Sequence, residues 1–127
     1  MQGKHLYEYA VIRLVPRVER EEFFNVGIIL FSKRAKYIKA LYKVDEDKLN
    51  LFSSELDRES LFANLHVFDK ICSGTKEGGP IAALDIPERF RWLTAVWSAS
   101  IQTSRPHPGF SDDLDRTLEI LFRELVL

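Results

Sequence analysis

The sequence lacks the features that mark several large classes of protein. Its 127 residues contain one cysteine, Cys72, so no internal disulfide can form and we expect a reducing, cytoplasmic compartment. No apolar run approaches the roughly 18 residues that span a membrane, and the N-terminal residues lack the apolar core of a signal peptide. We therefore expect a soluble cytoplasmic protein.

An excess of charge of one sign is also missing. The chain has 18 lysine and arginine residues against 19 aspartate and glutamate residues, a formal net charge of -1. This balance supplies no overall field that would draw the chain onto nucleic acid or an anionic membrane. Neither partner is favoured, although a local basic patch is compatible with the composition.

The length fits a single domain, residues 1–127, whose first third is predicted to be sheet. Runs rich in β-branched and aromatic residues predict strands at 6–15, 23–31 and 35–44. The first is predicted to end before Pro16 and to be buried on much of both faces. Gly27 indicates a bulge or a close backbone approach in the second. Short connections between the strands predict an antiparallel meander.

The middle of the chain is predicted to be helical. A short helix is expected within residues 45–52, and a longer one after a cap at Ser54 or Asp57. The apolar stripe of the longer helix is Leu61, Leu65, Phe68 and Cys72. Three glycines within residues 73–80 predict a flexible loop.

Two further helices are predicted in the C-terminal third. Asp85 and Pro87 begin the first, in which Phe90 and Trp92 are expected in the core and Val96 and Trp97 continue the apolar side. Ser111 is predicted to cap the second. The stripe of that last helix is Leu114, Leu118, Leu121, Phe122 and Leu125. With a short strand or edge segment at 101–104, the predicted fold is α+β, a small antiparallel sheet of three to four strands packed on one face by helices.

Residues 98–109 concentrate polar chemistry between two predicted helices. Ser104 and His107 are separated by three residues, which suits a serine nucleophile and its base across a turn. In the simpler interpretation Ser104 caps the turn and His107 packs beside Pro106 and Pro108. We favour the simpler interpretation, because the sequence shows no orienting acid or oxyanion hole.

A second hypothesis is a metal-dependent phosphodiesterase or nuclease, whose site joins Glu21, Glu22 and Asn25 to Gln102 and His107. Hard divalent cations need converging oxygen ligands. The acidic residues are more simply a solvated connector, and zinc-ligand spacing of His and Cys is absent, so we assign no metal and no cofactor. The enzyme alternative uses the residues His107, Gln102, Ser104 and Glu22.

The third hypothesis is recognition of an anion or a peptide. Guanidinium groups hold carboxylates and phosphates in bidentate fashion, and Trp92, Trp97 and Phe110 would add an apolar surface. For Arg89, Arg91 and Arg105, pairing with neighbouring acidic residues is supported as well as ligand binding is. The candidate binding residues are Asn25, Arg89, Arg91, Gln102, Ser104, Arg105 and His107.

Four blocks of sequence resemble the DUF3037 family, small bacterial proteins without an assigned function. The blocks are YEYAVIRLVP at 7–16, EFFNVG at 22–27, RFRWL at 89–93, and IQTS at 101–104 with His107 and Gly109. Where the family has proline and arginine after the tryptophan block, this chain has Val96 and Trp97. The resemblance also implies a gene that lies beside the gene for a HipA-like kinase, as is common among members, and hence a partner or regulator role.

We therefore expect a non-enzymatic binding or regulatory module of a bacterial cell, with a HipA-like kinase as the implied partner. A homodimer through exposed strand edges is also compatible with so small a sheet, whereas Lys36 and Lys39 would oppose edge pairing. The most informative structural observation is whether Asn25 and residues 102–107 share one pocket.

Overall fold

The computed structural model describes residues 4–17, 22–51, 58–95 and 101–127. Its elements in chain order are β1 (His5–Arg17), β2 (Glu22–Ser32), β3 (Tyr37–Tyr42), α1 (Glu46–Leu51), α2 (Arg58–Ser73), α3 (Gly79–Ala82), α4 (Ile86–Leu93), β4 (Ile101–Thr103), β5 (His107–Ser111) and α5 (Leu114–Leu125). The α+β class is confirmed. None of the helices described is long and apolar enough to cross a membrane.

β1 is the strand to which most of the sheet attaches. β2 pairs antiparallel with one edge of β1 and β3 pairs antiparallel with β2, which confirms the meander. β4 and β5 both pair antiparallel with the other edge of β1. The sheet therefore has five strands, one more than the upper prediction, because β1 is long enough to hold two short partners end to end.

β1 continues past its predicted end. It reaches Arg17, beyond Pro16, and its register with β2 shifts between Leu14 and Arg17. Proline is compatible with a strand where the pairing is irregular, because its missing N–H then removes no ladder hydrogen bond. The connector 18–21 lies outside the described residues.

Gly27 has both of the roles that the sequence indicated. Ile12 lies opposite Gly27 and Arg13 opposite Asn25, so Val26 is an extra residue in β2 and forms a bulge. A Cβ atom at Gly27 would lie 2.6 Å from the carbonyl oxygen of Leu41 on β3. The glycine is required because the neighbouring backbone approaches so closely.

Helices pack on both faces of the sheet rather than on one. Ala10, Ile12 and Leu14 belong to a core cluster shared with α2 and α4, whereas Val11 lies in a second cluster with Leu118 of α5. Successive residues of a strand point to opposite faces. We call these the α4 face and the α5 face; the burial predicted for both sides of β1 is thereby confirmed.

The start of α4 agrees with the prediction, whereas one of its expected core residues does not. The Asp85 side chain accepts from the Glu88 backbone N–H at 3.1 Å, as predicted for a cap. Phe90 is buried, but the expectation for Trp92 was wrong, since it is 39% exposed. α4 ends at Leu93. The predicted positions Ser54, Asp57, Val96 and Trp97 lie outside the described residues.

The last helix is capped by Asp113, not by Ser111. The Asp113 carboxylate accepts from the Arg116 N–H at 3.1 Å, while Ser111 is the final residue of β5 and its hydroxyl accepts from the Asp113 N–H at 3.0 Å. The predicted loop at 73–80 also differs. It contains a 3₁₀ turn, Lys76–Gly78, and the start of α3.

Gly27→Ala should destabilise the protein by about 1–3 kcal/mol, because the new methyl group must displace β3 from β2. Urea unfolding monitored by circular dichroism measures this free energy. Exposed Ala63→Ser on α2 is a control that should change it by less than about 0.5 kcal/mol. Equal midpoints for Gly27→Ala and the wild type would contradict the close approach.

The Cys72 thiol should make stability pH-dependent in alkali. Burial raises the pKa of Cys72 to about 12, and the nearby Asp69 carboxylate adds to this effect. Above about pH 9 the unfolded chain loses the thiol proton while the folded chain keeps it, so the free energy of unfolding falls as pH rises towards 12. The loss attributable to Cys72 should reach about 1–1.5 kcal/mol at about pH 10.

Urea unfolding of wild type and Cys72→Ala at about pH 7 and about pH 10 isolates this contribution, because the alanine variant lacks the thiol. The variant should lose less stability than the wild type between the two values. Identical losses would show that the thiol ionises equally in both states.

Candidate functional site

The edge strand formed by β4 and β5 contains a bulge. Ile12 lies opposite Thr103 and Tyr9 lies opposite His107. Three edge residues, 104–106, therefore lie opposite two residues of β1. A bulge of one residue reverses which side chains of the edge point to which face.

Ser104 fills this bulge with hydrogen bonds to the backbone. The Val11 N–H donates to the Ser104 Oγ at 2.8 Å, and the Ser104 N–H donates to the Val11 carbonyl at 2.8 Å. The Ser104 hydroxyl then donates to the Arg105 carbonyl at 3.1 Å. Ser104 is 4% exposed, so its hydroxyl acts as part of the sheet.

His107 lies in β5 and contacts Tyr9 rather than the Ser104 hydroxyl. Its ring packs against the Tyr9 ring, with the centroids 5.2 Å apart. Among the described residues, the hydrogen bonds of the Ser104 hydroxyl go to Val11 and Arg105 and not to His107. These contacts fit a structural role for the segment better than they fit a serine nucleophile with its base.

The bulge places Gln102 and His107 on the same face of the sheet. Gln102 lies opposite Arg13, and His107 lies opposite Tyr9; both Arg13 and Tyr9 have the parity of the α5 face. In a regular strand, residues 102 and 107 would point to opposite faces. The bulge at Ser104 therefore determines which side chains of the predicted polar segment point to each face of the sheet.

Asn25 also lies on the α5 face, across Arg13 from Gln102. Its side-chain amide donates to the carbonyl of Leu125 at 2.8 Å and so holds the end of α5. Because Tyr9 is four positions from Arg13 along β1, His107 lies about 13 Å further along the sheet. Asn25 and residues 102–107 thus share a face but are spread along it.

Arg13 itself is partly buried between these two amides. Its guanidinium carbon lies 4.3 Å from the centre of the Phe23 ring, a cation–π contact. The Arg13 Nε and the Asn25 Oδ1 are buried without a hydrogen-bond partner among the described residues.

Arg89 is placed inside the fold. Its Nη1 donates to the carbonyls of Ile71 and Cys72 at 3.3 and 3.4 Å, at the end of α2. These are carbonyls of the last helical turn, which have no partner within the helix, and a cation there is favoured by the helix dipole. Gly74, with a positive φ of 73°, leaves room for the guanidinium.

A groove opens on the α4 face, at the end of the sheet that the helices leave uncovered. Its volume is about 820 Å³. Its lining residues are Lys4, Leu6, Tyr7, Glu8, Phe31, Lys33, Arg34, Pro87, Phe90, Arg91, Thr94, Pro106, Pro108 and Phe110. We call it the sheet-end groove; its volume lies within the range of ligand pockets.

The floor of the sheet-end groove is apolar. Phe31 of β2 and Phe90 of α4 stack with their ring centres 4.7 Å apart. Leu6 lies opposite Phe110 across the β1–β5 pair, and the two are 55% and 68% exposed. Large apolar side chains that stay exposed beside a concave surface are typical of interaction sites.

The polar part of the groove is predominantly cationic. Lys4 precedes β1, Lys33 and Arg34 lie in the turn between β2 and β3, and Arg91 lies on α4. The acidic residue Glu8 lines the same groove. The field inside the groove therefore favours anionic groups although the whole chain is close to neutral.

The predicted binding residues are thus separated by the structure. Arg91 lines the sheet-end groove, and Asn25, Gln102 and His107 point to the α5 face. Ser104 and Arg89 are buried. Arg105 is exposed within the bulge. Whether any of these side chains contacts a ligand stays a prediction.

The proposed metal ligands are only partly described. Glu21 and the Glu22 side chain lie outside the described part of the chain, and Glu22 is the first residue of β2. Within the described part, no three His, Cys, Asp or Glu side chains converge. The metal-dependent hypothesis therefore stays a prediction.

Sequence reasoning found Arg91 and Phe110 but missed the rest of the groove. Leu6 has the parity of Ala10 in β1, so alternation assigns it to the same face and predicts burial. Lys33 and Arg34 lie in the short connection between two predicted strands, where no local pattern marks them as part of a site. Their convergence on Arg91 depends on the pairing of β1 with β2 and β5, which no local pattern contains.

Ser104→Ala should destabilise the protein by about 1–3 kcal/mol, because the buried Val11 N–H loses its acceptor. Ser73→Ala is the matched control, because the exposed Ser73 hydroxyl donates, among the described residues, to the carbonyls of Asp69 and Lys70 in its own helix. Its effect should stay below about 0.5 kcal/mol. Thermal and urea unfolding measure both, and equal stabilities would remove the structural role assigned to Ser104.

Comparison with known proteins confirms the family resemblance noted in the sequence. No curated protein and no solved structure matches the chain. A family model described as a protein of unknown function, DUF3037, matches residues 9–126, nearly the whole chain. The chain therefore belongs to the DUF3037 family.

Proposed function

We propose that this chain is a non-enzymatic binding module that recognises a partner protein through the sheet-end groove. The observation that carries the proposal is the pair Leu6 and Phe110, which are more than half exposed on the floor of a groove of about 820 Å³. Burial of such side chains against a partner releases water from apolar surface and stabilises a complex.

The placement of the polar residues supports binding over catalysis. The Ser104 hydroxyl is engaged by the backbone, and Arg89 is engaged by the end of α2. Arg91, in contrast, is exposed beside the apolar floor, where a guanidinium can hold a carboxylate of a partner. The groove thus combines an apolar anchor site with charged groups near it, as protein-binding surfaces do.

The partner to be tested first is a HipA-like kinase of the same bacterial cell, because family resemblance implies this neighbour. In this proposal the chain acts as a regulator that binds the kinase and has no reaction of its own. Its location in the cytoplasm is part of the same proposal.

Phe110→Ser should remove partner binding. The tagged chain is immobilised and exposed to the purified kinase and, separately, to extract of the native cell, and retained proteins are quantified by mass spectrometry. Loss of an aromatic anchor should lower retention about tenfold or more, which corresponds to about 1.4 kcal/mol. Because Phe110 is exposed, the variant should fold.

Phe62→Ser is the matched control, since Phe62 is 43% exposed on α2 and does not line the groove. It should retain the partner as the wild type does. Absence of any retained protein above background would contradict the binding function. Equal retention by Phe110→Ser and wild type would contradict the assignment of the groove.

A further inference from the structure

We infer that the occupant of the sheet-end groove is an amphipathic helix with acidic residues beside its apolar stripe. This inference rests on the proposed function and names the chemistry of the partner segment. It follows from the shape of the uncovered surface, from the backbone of the neighbouring edge strand, and from the charges around the groove.

The uncovered surface continues a face that helices already cover. On the α4 face, Ala10 and Ile12 of β1 are buried beneath α2 and α4. Further along the same face Leu6 is more than half exposed, so none of the described elements covers it. α4 supplies one wall through Phe90 and Arg91. A helix laid beside α4 would complete the layer on the sheet.

An added strand fits the neighbouring edge poorly. The edge beside the groove contains Pro106 and Pro108 around His107. Proline has no N–H, so this edge is short of the donors that pairing with another strand requires. Insertion of side chains from a helix needs no donors from this edge, which favours the helix-in-groove mode over strand addition.

The charges around the groove favour several carboxylates over one. The four cationic residues Lys4, Lys33, Arg34 and Arg91 come from three separate segments of the chain. A helix with Asp or Glu on both sides of an apolar stripe presents carboxylates on both flanks. The single carboxylate of a fatty acid would reach one segment only.

A displayed library of random peptides tests this inference without assuming a sequence. Each peptide has about 16 residues, enough for about four helical turns. The bait is the full chain, and clones are counter-selected on Phe110→Ser. Enriched clones should be acidic and should carry apolar residues at positions i, i+3 or i+4, and i+7. Synthetic copies should gain helical circular dichroism on binding and should bind more weakly as salt rises.

Charge reversal provides the specificity test. Arg91→Glu should weaken binding of an enriched acidic peptide at least about tenfold and should improve binding of its Glu→Lys counterpart. Arg123→Glu is the control, because Arg123 is exposed on α5 at the other face of the sheet. It should leave both affinities within about twofold of the wild type.

Three results would overturn the inference: enrichment of basic or proline-rich extended peptides, no enrichment at all, or displacement of the peptide by a fatty acid or an oligonucleotide at lower concentration. The proposed function is judged separately. If the inference fails while a partner is still retained through Phe110, the binding module stands with a different occupant. If Phe110→Ser retains the partner fully, the groove assignment fails as well.

Discussion

The backbone pairing of Ser104 with Val11 is the constraint on which both surfaces of this protein depend. β1 needs partners along its whole outer edge, and the chain supplies them as two short strands with one extra residue between them. The Ser104 hydroxyl replaces the carbonyl that a regular strand would have presented to the Val11 N–H. A buried N–H is thus satisfied where the chain departs from regular sheet geometry.

The bulge decides which chemistry each face receives. After it, His107 points to the α5 face beside Tyr9, while Pro108 and Phe110 point to the α4 face beside Glu8 and Leu6. The concentration of polar residues at 98–109 therefore does not become one site. Its two prolines line the sheet-end groove together with Phe110, which follows the segment, and Ser104 holds the sheet together.

Local patterns predicted the class of fold well. Alternation and apolar spacing located β1, β2, β3, α2 and α5 because each buries a periodic set of side chains. The prediction that Trp92 lies in the core was wrong. α4 is short, and its apolar side is wider than the surface that it covers. Local sequence patterns could not predict the groove. Lys33, Arg91 and Phe110 are brought together only by long-range strand pairing and by where the helix layer ends.

An amide chemical-shift map of the chain titrated with its partner tests most directly whether the sheet-end groove is the binding surface. Binding in the groove predicts that the largest changes fall at residues 4–8, 33–34, 90–94 and 106–110. Changes concentrated on α5 and around Tyr9, with those segments unaffected, would contradict it.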